Sequence, residues 1–296
     1  MLGASLVGVG IALLIAHNWD ELSRPIRSTI AFLPLLASHA LVVFVLARRA
    51  ESQPWRETAA IFNVAAVSVA IALIGQTYQI QGDFAGFILV WMLVSIPVVY
   101  LLRTTFGAAA YLVGATVWLA SKISWTRADG TALWFWALWA LTIPFLVMLF
   151  RRDRYGREAA TLAMFQFAAA MFGVGATAVL SHANLGALGF CGLFTAVYLA
   201  GAQFLPKPND EQPHPLPQLG MIGVGVVAVL LSFEWMWDFS AVSDSRLAAI
   251  PNAFAILVQL GWPVVAMLLA GAPLRWRREM QFNYVAALLP VMAGIT

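Results

Sequence analysis

The chain has 296 residues, 61% of them hydrophobic and only 10% charged, with a formal net charge of +3. Soluble domains run near half apolar and a quarter charged, so this composition excludes an ordinary soluble fold and a disordered chain alike. The small positive balance asks for no nucleic-acid partner, and the single cysteine, Cys191, excludes an intrachain disulfide.

Apolar segments follow one another along the whole length. Spans are predicted at 2–16, 29–47, 58–76, 85–102, 104–120, 131–150, 159–180, 184–204, 218–235, 250–272 and 281–296. A helix needs about 20 mostly apolar residues to cross a bilayer. Barrel strands would alternate apolar and polar residues, whereas these runs are continuously apolar. Backbone groups in lipid must pair within the segment, which leaves helices. The expected fold class is all-α, a polytopic transmembrane helical bundle of about ten or eleven spans. The first and last spans are short, so the chain is expected to lack both ends of a longer protein. No positive region follows Met1, so no cleaved signal peptide is expected.

Span 1 carries small residues at four-residue spacing, Ala4, Gly8, Ala12 and Ala16. Such stripes let helix backbones approach closely. A polar stretch follows, His17-Asn18-Trp19-Asp20-Glu21-Leu22-Ser23-Arg24-Pro25. Asn18 and Glu21 have capping-box spacing, and Asp20 and Arg24 are spaced for an i,i+4 pair. The stretch reads either as a short interfacial helix or as a polar lip over a cavity. Spans 2 and 3 each carry a polar residue, His39 and Asn63, expected to hydrogen-bond a neighbouring helix.

After span 3 comes Leu73-Ile74-Gly75-Gln76-Thr77-Tyr78-Gln79-Ile80-Gln81-Gly82-Asp83, polar but without lysine or arginine. Gly75 and Gly82 permit unusual backbone angles. Two readings stand: a neutral hairpin turning at Gly82-Asp83, or a segment that dips into the protein and lines water. Further on, Trp91 with Ser95-Ile96-Pro97 is echoed by Trp139 with Thr142-Ile143-Pro144. The echo reads as generic span chemistry, with a duplicated unit as the alternative. Trp134, Trp136 and Trp139, and later Trp235 and Trp237, read as interfacial belts. Spans 7 and 8 carry further small-residue stripes, Ala169, Gly173, Thr177 and Gly186, Gly189, Gly192, read as core packing. Gln166, Gln203 and Gln259 are expected to bond across helices. The proline-dense stretch 206–217 reads as a cytoplasmic linker between an N-terminal membrane domain, 1–205, and C-terminal membrane helices, 218–296.

Loop charges give an orientation. Of the 17 lysines and arginines, five lie in alternate loops, Arg24, Arg27, Lys122, Arg127 and Arg246, and the other twelve on the opposite side. The positive-inside rule therefore places the N-terminus in the cytoplasm.

Two short motifs, Asn18-Trp19-Asp20-Glu21-Leu22 and Leu73-Ile74-Gly75-Gln76-x-Tyr78-x-x-x-Gly82-Asp83, followed by Trp91 and Pro97, resemble a bacterial predicted-membrane-protein family classed as domain of unknown function 2157. The resemblance runs over roughly residues 1–120. It implies a multi-pass protein of a bacterial inner membrane and brings no activity with it. Family members often carry a cytoplasmic segment before the first span.

No HExxH, Walker A or GxSxG pattern occurs, and no acidic residue sits mid-span. No catalytic residue, metal ligand or cofactor site is assigned, and an enzyme ranks last. The first expectation is binding or transport of a small neutral or amphiphilic solute, with a polar entrance at His17, Asn18, Asp20, Asn63, Gln76, Tyr78, Gly82 and Asp83. That reading predicts a wet cavity beside Asn63, Gln76 and Tyr78. The second is a membrane scaffold or sensor that engages a partner protein, which predicts a dry bundle. Membrane lipid is the one partner expected in either case.

Overall fold

The computed structural model describes residues 21–124, 127–128, 130–153, 156–181, 186–204, 215–231 and 253–271. The chain forms two compact units, Met1–Gly107 and Ala108–Thr296.

The described part of the first unit is an up-and-down set of helices, α1 (Arg24–Arg48), α2 (Gln53–Tyr78) and α3 (Phe84–Leu102). Proline in the first turn starts α1 and α2, where its missing N–H costs nothing. Internal Pro34 and Pro97 are absorbed without ending α1 or α3. α2 lies along α1 on one side and α3 on the other. At one end Val42 and Val45 of α1 meet Ala59 and Ala60 of α2 and Leu102 of α3.

Both helix C-termini facing α2 and α3 loops close with a left-handed residue that is not glycine. Gln79 has φ 50° and ψ 40°, and Arg103 has φ 51° and ψ 57°. Ile80 N donates to Gly75 O at 3.0 Å and Gln79 N to Gln76 O at 3.3 Å, the Schellman pattern. Thr104 N likewise reaches back to Val99 O at 3.2 Å. The sequence pointed to Gly75 and Gly82 for unusual angles; among the described residues no glycine has positive φ. The two recovered hydrogen bonds offset the cost of a left-handed side chain, about 1–2 kcal/mol.

The second unit holds most of α4 (Thr105–Lys122), a two-residue hairpin of β1 (Ile123–Ser124) and β2 (Arg127–Ala128), and a 3-10 turn over Gly130–Trp134. The strands are antiparallel, with Ile123 opposite Ala128. Then come α5 (Phe135–Ala140), α6 (Ile143–Arg152), α7 (Arg157–Ser181), α8 (Gly186–Phe204), α9 (Pro215–Leu231) and α10 (Ala253–Gly271). The stretch read as one span over 131–150 is thus broken at Leu141–Thr142. Pro144 cannot donate to the preceding turn, and it disfavours helical backbone at Ile143.

α8 is the centre of this unit, packed against α7, α9 and α10. Its glycines make that fit. A Cβ at Gly189 would overlap the Gln259 side chain of α10, and one at Gly192 would overlap Pro263 N. α9 answers with Gly220, where a Cβ would come within 2.6 Å of Tyr198 N and 2.8 Å of Phe194 O. The small-residue stripes of spans 7 and 8 are packing surfaces, as expected. Of the described tryptophans read as a belt, Trp134 is 68% exposed, as a belt residue would be. Trp136 and Trp139 turn inward on Trp262 of α10, with ring centroids 6.0 and 6.1 Å from it.

Five helical stretches among the described residues are long and apolar enough to cross a membrane: 24–48, 53–78, 84–102, 130–152 and 157–178. Three shorter apolar helices lie at 186–201, 216–227 and 253–269. An all-α membrane bundle stands, while the count of ten or eleven is not carried by these residues. Expected spans 2–16 and 281–296, most of the 206–217 linker, Gln203 and the tryptophans Trp235 and Trp237 lie outside the described residues or side chains.

Cys191, 1% exposed, sits on α8 between the two close-packed glycines and reports on that packing. Gly192→Ala is expected to destabilise the unit by about 1–3 kcal/mol, the usual cost of overpacking. Gly225→Ala, with nothing within 4 Å of the new methyl, should be neutral. Thermal unfolding followed by thiol-reactive dye at Cys191 measures both, and equal midpoints for the two variants would refute the close-packing assignment.

Candidate functional site

The residues singled out in the sequence occupy different places. His17, Asn18 and Asp20 lie outside the described residues. Asn63 is in the interior of α2, 1% exposed. Its Nδ2 donates to Ser38 Oγ of α1 at 3.0 Å, and Ser38 Oγ in turn donates to Leu35 O at 2.7 Å. Asn63 Oδ1 is buried without a hydrogen-bond partner. One residue further along α2, the carbonyl of Val64 accepts Trp91 Nε1 of α3 at 2.7 Å. The three helices are therefore cross-linked at one depth by polar contacts.

Gln76, Tyr78, Gly82 and Asp83 gather at the α2–α3 hairpin and are all exposed. Tyr78 OH meets Ser28 Oγ of α1 at 3.1 Å. Asp83 is the N-cap of α3: its Oδ1 accepts Gly86 N at 2.9 Å. Gly86 is suited to this, because a Cβ there would stand 2.7 Å from that oxygen. Ile80, between them, is 63% exposed, so the hairpin turns away from the protein instead of dipping into it. Asn63 and Gln76 are about 20 Å apart along α2 at 1.5 Å per residue. The hairpin residues are brought together; Asn63 is not brought to them.

His39 does not reach a neighbouring helix. It is exposed, and its Nδ1 donates to Leu35 O, one turn back, at 2.8 Å.

The opposite end of the unit holds a feature that loop counting missed. Glu57, in the first turns of α2, is buried. Its carboxylate oxygens accept Thr105 N at 2.8 Å and Phe106 N at 3.1 Å, two free amides of the first turn of α4. Beside it Arg56 Nη1 lies 3.4 Å from Leu102 O, the last carbonyl of α3. Negative charge meets a helix N-terminus and positive charge a helix C-terminus, the favourable sense for both dipoles. An Arg-Glu pair one turn inside a proline-started apolar helix was the available signal.

In the second unit the helix break is held by α7. Gln166 Nε2 donates to Trp139 O at 3.2 Å, and Trp139 Nε1 donates to Gln166 O at 3.0 Å. Thr142 Oγ1 lies 2.8 Å from Gln166 Oε1 and 2.9 Å from Trp139 O. Deeper along α7, Gln259 Nε2 of α10 donates to Val174 O at 2.8 Å and Thr177 Oγ1 at 2.7 Å. Gln166 and Gln259 therefore bond across helices, as expected. The tryptophan echo is used in two ways: Trp91 donates back to α2 and Trp139 forward to α7. Among the described residues no three His, Cys, Asp or Glu side chains gather.

Residues 1–108 match the model of a family described as "Predicted membrane protein (DUF2157)". The similarity anticipated from the two motifs is borne out over that stretch, whose bounds nearly coincide with those of the first compact unit, Met1–Gly107. Searches of curated proteins and of solved structures found no match. The chain is a membrane protein of several apolar helices whose activity no comparison supplies.

Asp83→Ala is expected to cost about 1 kcal/mol of stability and Asp83→Asn almost nothing, because both native-like side chains cap. Glu57→Ala should cost more, about 1–3 kcal/mol for each amide left unpaired in a buried place. Thermal midpoints of the purified variants decide it; equal losses at Asp83 and Glu57 would contradict the clamp.

Proposed function

We propose that the chain is a non-transporting membrane component, a scaffold or sensor module that engages a protein partner within a bacterial inner membrane. One observation carries this reading. Between Asn63 and the hairpin, the buried face of α2 consists of Ala66, Val67 and Ala70, and then Thr77, whose hydroxyl donates to Leu73 O of its own helix at 2.7 Å. Ala66, Val67 and Ala70 thus separate the interior amide from the polar residues at the hairpin end, and the one buried hydroxyl there is used within α2. The described polar residues that would have formed an entrance also have structural uses: Asp83 caps α3, Tyr78 meets Ser28, and Asn63 ties α2 to α1. Polar side chains at membrane depth are expensive and are spent here on helix association.

A second reading, passage of a small neutral solute, is favoured by the broken stretch in the other unit. Discontinuous helices at membrane depth are a recurring feature of transporters. Thr142 and Gln166 would then be the groups that exchange their mutual hydrogen bonds for a solute.

Osmotic shrink–swell rates of proteoliposomes with glycerol and urea separate the two. The first reading expects rates equal to those of protein-free vesicles. It also expects a photoreactive side chain at exposed Phe84 to yield one discrete protein adduct in native membranes. Faster flux that Gln166→Ala removes, with the amount of folded protein unchanged, would overturn it in favour of transport.

A further inference from the structure

The end of the first unit that carries Glu57 also carries a cationic rim. α1 ends in Arg48 with Arg49 as its cap, Arg56 lies in the first turn of α2, and Arg103 caps α3. Arg48, Arg49 and Arg103 are exposed, and none has a carboxylate partner among the described residues. Arg56 is half-buried, and its Nε is a buried donor with no acceptor. The carboxylates at this end are fewer: Glu51 is exposed, and Glu57 is buried and accepts two amides of α4.

Directly along the helices from these guanidiniums lies an aromatic ledge. Phe44 is one turn before Arg48 on α1, and Trp55 immediately precedes Arg56 on α2. They meet edge to face at 5.9 Å between centroids, yet remain 43% and 41% exposed. The positive-inside rule accounts for arginine at a helix end. It does not account for an exposed aromatic pair set against the cations.

We propose that this end of the unit is a docking site for the headgroup of an anionic phospholipid. The phosphate oxygens accept from the exposed Arg48, Arg49 and Arg103, and the half-buried Arg56 adds its charge beside them. Guanidinium forks suit phosphate oxygens. The glycerol and first acyl carbons lie on Phe44 and Trp55, at the depth where tryptophan favours the interface. A free phosphate would leave the ledge unused, which is why the occupant is a lipid. The site does not depend on which function the protein has.

The test uses the full chain in mixed micelles, with thermal unfolding followed by circular dichroism, to which the helices of both units contribute. Dioleoylphosphatidylglycerol should raise the midpoint in a dose-dependent way, while phosphatidylcholine and inorganic phosphate should not. Arg48→Gln/Arg49→Gln/Arg103→Gln should weaken the phosphatidylglycerol response by about a hundredfold in concentration, at the usual worth of a basic residue near an anionic surface. If that triple variant fails to fold, Arg48→Gln/Arg49→Gln, which touches only exposed side chains, should still weaken it by more than about tenfold. Arg151→Gln/Arg152→Gln, at the end of α6, should respond like the parent. Retention of the response in the rim variants would overturn the site. So would its equal loss in the α6 variant, which signals bulk charge, or an equal response to inorganic phosphate, which signals a free-anion site.

Discussion

An apolar solvent offers no hydrogen bonds, so each backbone amide or carbonyl that a helix leaves open must be met by the protein itself. The described structure is largely a set of answers to that demand. At the end of α2 the chain enters left-handed backbone at Gln79 so that Gly75 and Gln76 carbonyls are paired. At the start of α3 Asp83 reaches back to Gly86 N. At the start of α4 the donor groups are met by Glu57, a side chain from another helix. Where Pro144 breaks a helix, Gln166 supplies from α7 an amide for the Trp139 carbonyl. The same demand is thus met by a backbone conformation or a local side chain at the exposed α2–α3 hairpin, and by a side chain from another helix at buried Glu57.

The second constraint is steric. Lipid tails are as apolar as leucine, so helices associate by close fit and not by expulsion of water. α8 reaches that fit by having no side chain where α10 approaches: Gly189 lies under Gln259, and Gly192 under Pro263. The two constraints interlock at Gln259. Its amide can reach Val174 O and Thr177 only because Gly189 leaves room for the rest of the side chain. A polar contact at depth therefore depends on a missing methyl group on a third helix.

This explains what was legible in the sequence. Fold class follows from run length and solvent, both of which are local, and it was read directly. The glycine stripes and the cross-helix roles of Asn63, Gln166 and Gln259 were read because residue type and depth suffice for them. Pairings across helices were not legible. Whether Pro97 or Pro144 ends a helix depends on what stands opposite: α3 continues, while Gln166 stabilises the open break before α6. Trp136 and Trp139 looked interfacial because Trp262, some 120 residues on, is invisible to a local reading. Glu57 drew no notice because a tally of loop lysines and arginines ignores that a helix terminus is itself a charge. Gln79 escaped notice because glycine is the usual left-handed residue and two glycines stood nearby.

The two units place their polar side chains differently, and this bears on how each can move. In the first unit the paired groups are mostly at helix ends, spread over Asp83, Tyr78, Arg56 and Glu57, with Asn63–Ser38 and Trp91–Val64 crossing the interior. These contacts are distributed over several residues of the described helices. In the second unit the break between α5 and α6 is tied to α7 through one residue, Gln166, which serves as both donor and acceptor. A change that takes the Gln166 amide away leaves the Trp139 carbonyl and the Thr142 hydroxyl bonded only to each other and to the local backbone. Elements that change arrangement rely on few contacts, and among the described residues the α5–α6 break is held to α7 by the hydrogen bonds of one residue, Gln166.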